Sequence, residues 1–156
     1  MATIDITTLS SDQIAQLTAT QLAGLSTNDI ALMTADQIGA LTASQVAIFS
    51  VPQLAAFAPQ VMNALSVAAV GGFTATQVSH LSVPQLTSLT DDQLGGLNAR
   101  QTVVLSTAQI TSLSVEQIQS LSTASVQAIS TSAIQALNAD AVNGLTQNGA
   151  DRKSVV

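Results

Sequence analysis

Residues 106–121 read STAQITSL followed by SVEQIQSL, two copies of one eight-residue unit. The same unit extends in both directions. Starting at Ser10, seventeen consecutive octads lie end to end without a gap as far as Leu145. Position 1 is Ser, Thr or Asn in sixteen of them, the exception being Ala58. Position 5 is aliphatic or Met in sixteen, the exception being Thr102, and position 8 is large and apolar in all seventeen. Position 4 is Gln in eleven.

The unit specifies a helix start. With Ser106 as N-cap, its hydroxyl can accept from the backbone N–H of Gln109, and the Gln109 side chain can accept from the N–H of Ser106. That reciprocal pair is the S/T-x-x-E/Q capping box. Leu105 before the cap and Ile110 at the fourth helical residue occupy the two places of a hydrophobic staple. Leu17, Thr18, Gln21 and Leu22 repeat the device, and so do Leu113, Ser114, Gln117 and Ile118.

Pro and Gly, which play no part in setting the register, agree with it. Pro52 and Pro84 fall at position 3 and Pro59 at position 2. These places lie in the first turn, where a missing N–H costs no intrahelical bond. Gly24, Gly39, Gly71, Gly72, Gly95, Gly96 and Gly144 fall at positions 6 or 7. There they are expected to supply the conformations that end a helix, and small residues there should let successive coils approach closely.

One continuous helix does not fit. An octad advances about 800°, so the apolar pair would rotate by roughly 80° per repeat, and the internal Pro and Gly would break the helix. A flat strand would send positions 5 and 8 to opposite faces. The expected fold is an all-α solenoid of one- to two-turn helices from tandem octads, burying positions 5 and 8 in a continuous core. A β-solenoid is the alternative, because Thr, Val and Ile favour strands.

Three segments follow from the register. Residues 1–9 are expected to form a degenerate N-terminal capping repeat, with Asp5 in the Gln place and Ile6 and Leu9 in the apolar places. Residues 10–145 form the solenoid, irregular at 58–73, where Ala58 loses the cap and VAAVGGF lacks Gln. Phe49, Phe57 and Phe73, all at position 8, are expected to fill space left by smaller residues there. From Ser122 onward position 4 becomes Ser125, Ala133 and Ala141, while Gln127, Gln135 and Asn143 appear at position 6. Residues 146–156 are a tail.

Composition narrows the function classes. Nine acidic residues stand against Arg100, Arg152 and Lys153, giving a net charge of −6. Such a surface repels phosphate backbones and gains nothing from anionic headgroups, so nucleic acid is not expected as a partner. No run approaches the roughly 20 apolar residues of a membrane span, so membrane insertion is not expected either. Without cysteine there are no disulfides and no thiolate metal sites. The start, MATIDITTLSSDQ, lacks the basic and apolar regions of a cleaved secretory signal.

No residue is singled out as catalytic, cofactor-binding or metal-binding, and no cofactor is expected. His80, the lone histidine, sits at position 7 with no suggested partner, as a solvated surface residue would. Asp91 and Asp92 fall in a first turn, where acids favour the helix dipole, and no calcium-loop spacing surrounds them. The serines occupy caps outside any G-x-S-x-G context, and the glycine pairs lack phosphate-loop spacing. An enzyme is therefore not expected. Any binding should involve positions 2, 3, 6 and 7.

The S/T-x-x-Q-Φ-x-x-L octads over residues 10–145 resemble arrays in large bacterial extracellular repeat proteins, often labelled adhesins, haemagglutinins or haem-utilisation proteins. The resemblance implies a secreted or surface module, structural or adhesive, whose partner is an unspecified protein or surface ligand. The C-terminal DRKSVV (151–156) resembles one reading frame of a sequencing adapter. The expectation is that these residues are non-native and that further C-terminal repeats or domains, carrying any export signal, belong to the same chain. Two other classes are weighed: a cytoplasmic scaffold solenoid binding proteins along one face, and an ice- or crystal-templating array. The last ranks lowest because the Thr and Ser of position 1 are committed to capping.

Overall fold

A computed structural model of the chain describes residues 4–143. Among these are fifteen complete α-helices of four to six residues, two 3-10 helices, the start of a further helix at 139–143, and no strand. The protein is an all-α solenoid of short helices, and the β-solenoid alternative is set aside. Every octad from 10 to 137 supplies one element, which begins at position 2, directly after the cap at position 1. Leu145, the tail 146–156 and its 151–156 ending lie outside the described residues.

Each start is fixed locally. Ser106 is extended (φ −71°, ψ 160°), its hydroxyl accepts from the Gln109 N–H at 3.2 Å, and Gln109 Oε1 accepts from the Ser106 N–H at 2.8 Å. All eleven position-4 Gln side chains close such boxes. Asp29 closes a twelfth with Ser26. At the irregular site, Ala58 makes no side-chain cap bond, and a 3-10 helix, Pro59–Ala64, replaces the α-turn. Toward the N-terminus, Ile6–Thr8 form another 3-10 turn capped by the Asp5 carboxylate.

Each exit tightens in the same way. Ser112 stays right-handed (φ −88°, ψ −12°), and the Leu113 N–H then donates to the Ile110 carbonyl at 3.3 Å. The glycines do not end helices by left-handed conformations, since no described glycine has positive φ. Their role is space. A Cβ on Gly72 would press into the Ala43 backbone, and one on Gly95 would lie 2.9 Å from the Ser120 carbonyl oxygen. The expected exit role is therefore corrected, while the close approach of coils at positions 6 and 7 is what the structure uses.

Helices this short are unstable alone, and the neighbours that hold them lie in the adjacent coils. Ala99–Thr102 packs on Thr123–Ala128, Asp91–Gly95 on Val115–Ser120, and Ala35–Gly39 on Pro59–Ala64. Each pair is three octads apart. Hydrogen bonds between coils instead join residues 28 and 31 apart, as Gln85 shows with Phe57 and Leu54. A coil is thus closed by between three and four octads, and octads of successive coils are staggered.

The position 5 and 8 side chains form one continuous core, including Ile14, Leu22, Ile38, Leu54, Leu86, Leu94 and Ile118, with Leu41, Leu89 and Leu121. Phe49 and Phe57 meet edge to face with ring centroids 5.3 Å apart. Met62 and Phe73 are buried within the irregular stretch 58–73. The three Phe are core side chains. Thr102, the one polar residue at position 5, is buried, and its hydroxyl donates to the Asn98 carbonyl at 3.0 Å.

Candidate functional site

The repeat's polar groups resolve into an inner set and an outer set. The inner set is the Gln column. Position 4 is one residue before a core position, so its side chain points inward at the seam between coils. Gln37, Gln45, Gln53, Gln77, Gln85, Gln93, Gln101, Gln109 and Gln117 are all buried. A buried primary amide needs partners at both ends. Oε1 accepts from the cap N–H of its own octad, and Nε2 donates across the seam.

The cross-seam geometry repeats. Gln53 Nε2 reaches the Leu22 and Leu25 carbonyls at 2.9 and 2.8 Å. Gln77 reaches Val46 and Phe49, both at 2.8 Å. Gln109 reaches Val78 and Leu81 at 3.2 and 2.8 Å. The acceptors are the carbonyls of positions 5 and 8, at the exposed-carbonyl end of a short helix. One side chain therefore closes a helix start in its own coil and a helix end in the preceding one. Among the described residues no buried side-chain polar atom is left without a partner.

Sequence reasoning assigned Gln to the box and missed this second bond. A signal was present: Glu serves a capping box as well as Gln, yet Glu never appears at position 4. Only the amide carries donors. The change after Ser122 reads the same way. Ser125 is fully buried, and its hydroxyl donates to the Leu97 carbonyl at 2.7 Å, 28 residues back, keeping one of the two cross-seam bonds. Ala133 fills the place with a methyl group and is likewise buried.

The outer set consists of positions 2, 3, 6 and 7. In the quoted octad, Thr107, Ala108, Thr111 and Ser112 are exposed while Gln109, Ile110 and Leu113 are buried. A depression lies on this outer surface. It has a volume of about 550 Å³, within the usual range for small-molecule sites, and is lined by Val67, Asp91, Asp92, Gly95, Gly96 and Ser120. These residues come from three octads spaced three apart, so the groove crosses three successive coils. Gly95 and Gly96 lie where its walls come closest: a Cβ on Gly96 would meet the Val67 side chain at 2.7 Å, and one on Gly95 the Ser120 carbonyl oxygen at 2.9 Å. Val67, 44% exposed, supplies an apolar wall, and the exposed Asp91 and Asp92 carboxylates supply negative charge.

The remaining candidates stay apart. His80 is exposed, with Nδ1 at 2.8 Å from the Thr76 carbonyl oxygen and 3.0 Å from Ser79 Oγ, both neutral groups of its own helix. Asp91 and Asp92 stand in the first turn after the Thr90 cap. No cluster of three or more His, Cys, Asp or Glu able to hold a metal ion occurs among the described residues. Glu116, at position 3 of its octad, has a pKa held below its usual 4.5 by a backbone hydrogen bond and by the Ser114 hydroxyl. No described helix is long and apolar enough to cross a membrane.

Comparison with known proteins places no family on this chain. No protein-family model matches it, and no curated protein matches it in sequence.

Proposed function

We propose that this chain is a non-enzymatic structural or adhesive solenoid module of a larger secreted or surface protein. The observation that carries the reading is the division of polar groups. Caps and Gln amides are engaged by the backbone within and between coils. What faces outward is a periodic, weakly charged Thr, Ser and Ala surface. Such an array supplies length and area rather than a converging set of reactive groups. The octad resemblance to bacterial extracellular repeat proteins supports the same class.

Beads coated with the purified chain test the adhesive form of the proposal. They should be retained on cell or mineral surfaces under flow more strongly than beads coated with an acidic globular protein of similar charge. Equal retention on every surface would sink that form. Force extension of a tethered chain tests the structural form, which predicts stepwise release of single coils; one all-or-none rupture would contradict it. A cytoplasmic protein-binding scaffold is the second reading, favoured by the groove at Val67, Asp91, Asp92, Gly95, Gly96 and Ser120. Its occupant would be a basic peptide segment, and charge reversal at Asp91 and Asp92 would abolish binding.

A further inference from the structure

The cross-seam amides are interrupted along one run of the chain. Gln45 and Gln53 donate to carbonyls 28 and 31 residues back, and so do Gln77 and Gln85. Between them Val61 and Ala69 hold position 4, and neither side chain carries a donor. The register sets Val61 opposite the Ile30 and Met33 carbonyls, and Ala69 opposite those of Ile38 and Leu41. The Ile30 and Ile38 carbonyls already accept from the N–H groups of Met33 and Leu41. The Met33 and Leu41 carbonyls lie between helices and receive nothing from position 4.

This gap lies on one side of the solenoid. Gln53 and Gln77 flank it in sequence, and the coiling brings their helices together, since Val51–Ala55 packs on Ala75–Ser79. Amides therefore fasten the coils on that side. On the other side, Ala35–Gly39 packs on Pro59–Ala64, and Ala43–Val46 packs on Val67–Gly71, through apolar and backbone contact.

The two sides resist motion differently. The Gln53 and Gln77 bonds, at 2.8 to 2.9 Å, are lost once stretched past about 3.5 Å, so the fastened side holds its spacing. Dispersion contacts are weak singly and have no preferred direction. Met62, fully buried on the apolar side, is a flexible side chain that repacks readily. Local starts are also less fixed there: Ala58 makes no side-chain cap bond, and Ala69 returns none to Ser66. Compression on this side is blocked. A Cβ on Gly39 would lie 3.1 Å from the Ala64 carbonyl oxygen, and one on Gly72 would press into the Ala43 backbone.

We propose that the seam in front of residues 58–73 is a one-way hinge of the solenoid. The coils part on the side of Pro59–Ala64 and Val67–Gly71 and pivot about the side of Gln53 and Gln77. Residues 58–73 move with the coils that follow, to which Gln93 and Gln101 tie them through the Met62 and Phe73 carbonyls. Opening admits water to the Met33 and Leu41 carbonyls, which offsets part of the cost of exposing Met62 and Val70. The hinge rests on coil geometry and stands whether or not the module adheres to anything.

Distances between spin labels on the full chain test it. The chain has no cysteine, so introduced pairs are labelled uniquely. A coil closes between three and four octads, so residues seven octads apart lie two coils apart on one side. Asp36→Cys with Asp92→Cys spans the seam on the opening side, and Thr20→Cys with Thr76→Cys spans it on the fastened side. All four residues are exposed. Pulsed dipolar spectroscopy should give a distance distribution about twice as wide for the first pair, spread toward longer distances. Val61→Gln with Ala69→Gln supplies both missing amides and should narrow that distribution to the width of the second. Equal widths for the two pairs, or a spread of the first toward shorter distances, would overturn the proposal. So would a filled variant with an unchanged circular dichroism spectrum whose first distribution stays wide. Should the filled variant not fold, the comparison of the two pairs decides alone.

Discussion

Residues 74–121 and residues 58–73 solve the same problem by different physics. In the first, an unbroken run of Gln from Gln77 to Gln117 ties each coil to the one before through buried amide-to-carbonyl bonds. In the second, Val61 and Ala69 stand at position 4 and supply no donor. Apolar packing takes over there: Met62 and Val70 are fully buried, Phe73 nearly so, and Phe49 meets Phe57 edge to face just upstream. Both stretches keep the octad register and the coil spacing. The register is therefore set by caps and core anchors, and the Gln ladder is one of two ways to seal the seam. A sealed hydrogen bond is specific in direction and register, whereas an apolar contact is neither.

The sharpest way to break that contrast is to put a charge in the ladder. Gln85→Glu keeps the box with Ser82 but aims a buried carboxylate at the Leu54 and Phe57 carbonyls. At neutral pH it should cost about 4 kcal/mol, the scale for a buried charge left without a partner. Burial raises the folded-state pKa of this Glu above its unfolded value, so the folded state binds the extra proton. The loss should shrink as pH falls through the raised pKa toward the unfolded one, and urea melts between pH 7 and pH 4 will show it. A loss independent of pH would mean that the amide is not donating.

Phe57→Ala attacks the apolar solution. It should cost about 3 kcal/mol, from lost burial and the cavity left against Phe49, with no pH dependence in the same melts. If the cost were below that of a surface substitution, the Phe49–Phe57 contact could not be what holds the boundary just upstream of residues 58–73.

A subtler comparison sits in one glycine pair. At Gly72 a methyl group meets the Ala43 backbone, whereas at Gly71 it lies 3.7 Å from the Gly96 carbonyl oxygen, an ordinary contact. Gly72→Ala should destabilise by about 1–3 kcal/mol through overpacking. Gly71→Ala should stabilise by about 0.5 kcal/mol through the unfolded chain. Thermal melts giving the same sign for both would refute the assignment of these glycines to space.

The smallest effect belongs to Glu116. Its folded pKa is depressed by hydrogen bonds to its charged form, so its contribution is present above about pH 4.5 and fades as pH drops through the folded value. In Glu116→Gln that slight acid dependence should vanish from the melts, with little change at pH 7.

Much of this was legible along the chain because it is local. A capping box joins residues three apart, and a staple spans five, so Ser106, Gln109, Leu105 and Ile110 announce their geometry within one octad. Pro52, Pro59 and Pro84 fall in first turns, as their missing N–H requires. The glycines were legible in position but not in purpose. A small residue after a helix suggests a left-handed exit, and nothing nearby in sequence shows that Ala43 waits 29 residues from Gly72.

The groove of Asp91, Asp92, Gly95 and Gly96 was hidden for the same reason. Its other walls, Val67 and Ser120, come from octads three away on either side. Their meeting depends on how many residues close a coil. That number is a property of the packed solenoid, not of any octad taken alone.

The sequence by itself determined the helix starts, the anchors and the all-helical class, because each follows from hydrogen bonds and apolar contacts between near neighbours. Only the tertiary structure decided that a coil closes between three and four octads, and hence which carbonyls each Gln amide meets. Coil closure balances core side-chain volume against backbone approach at positions 6 and 7, and that balance exists only once one coil lies on another.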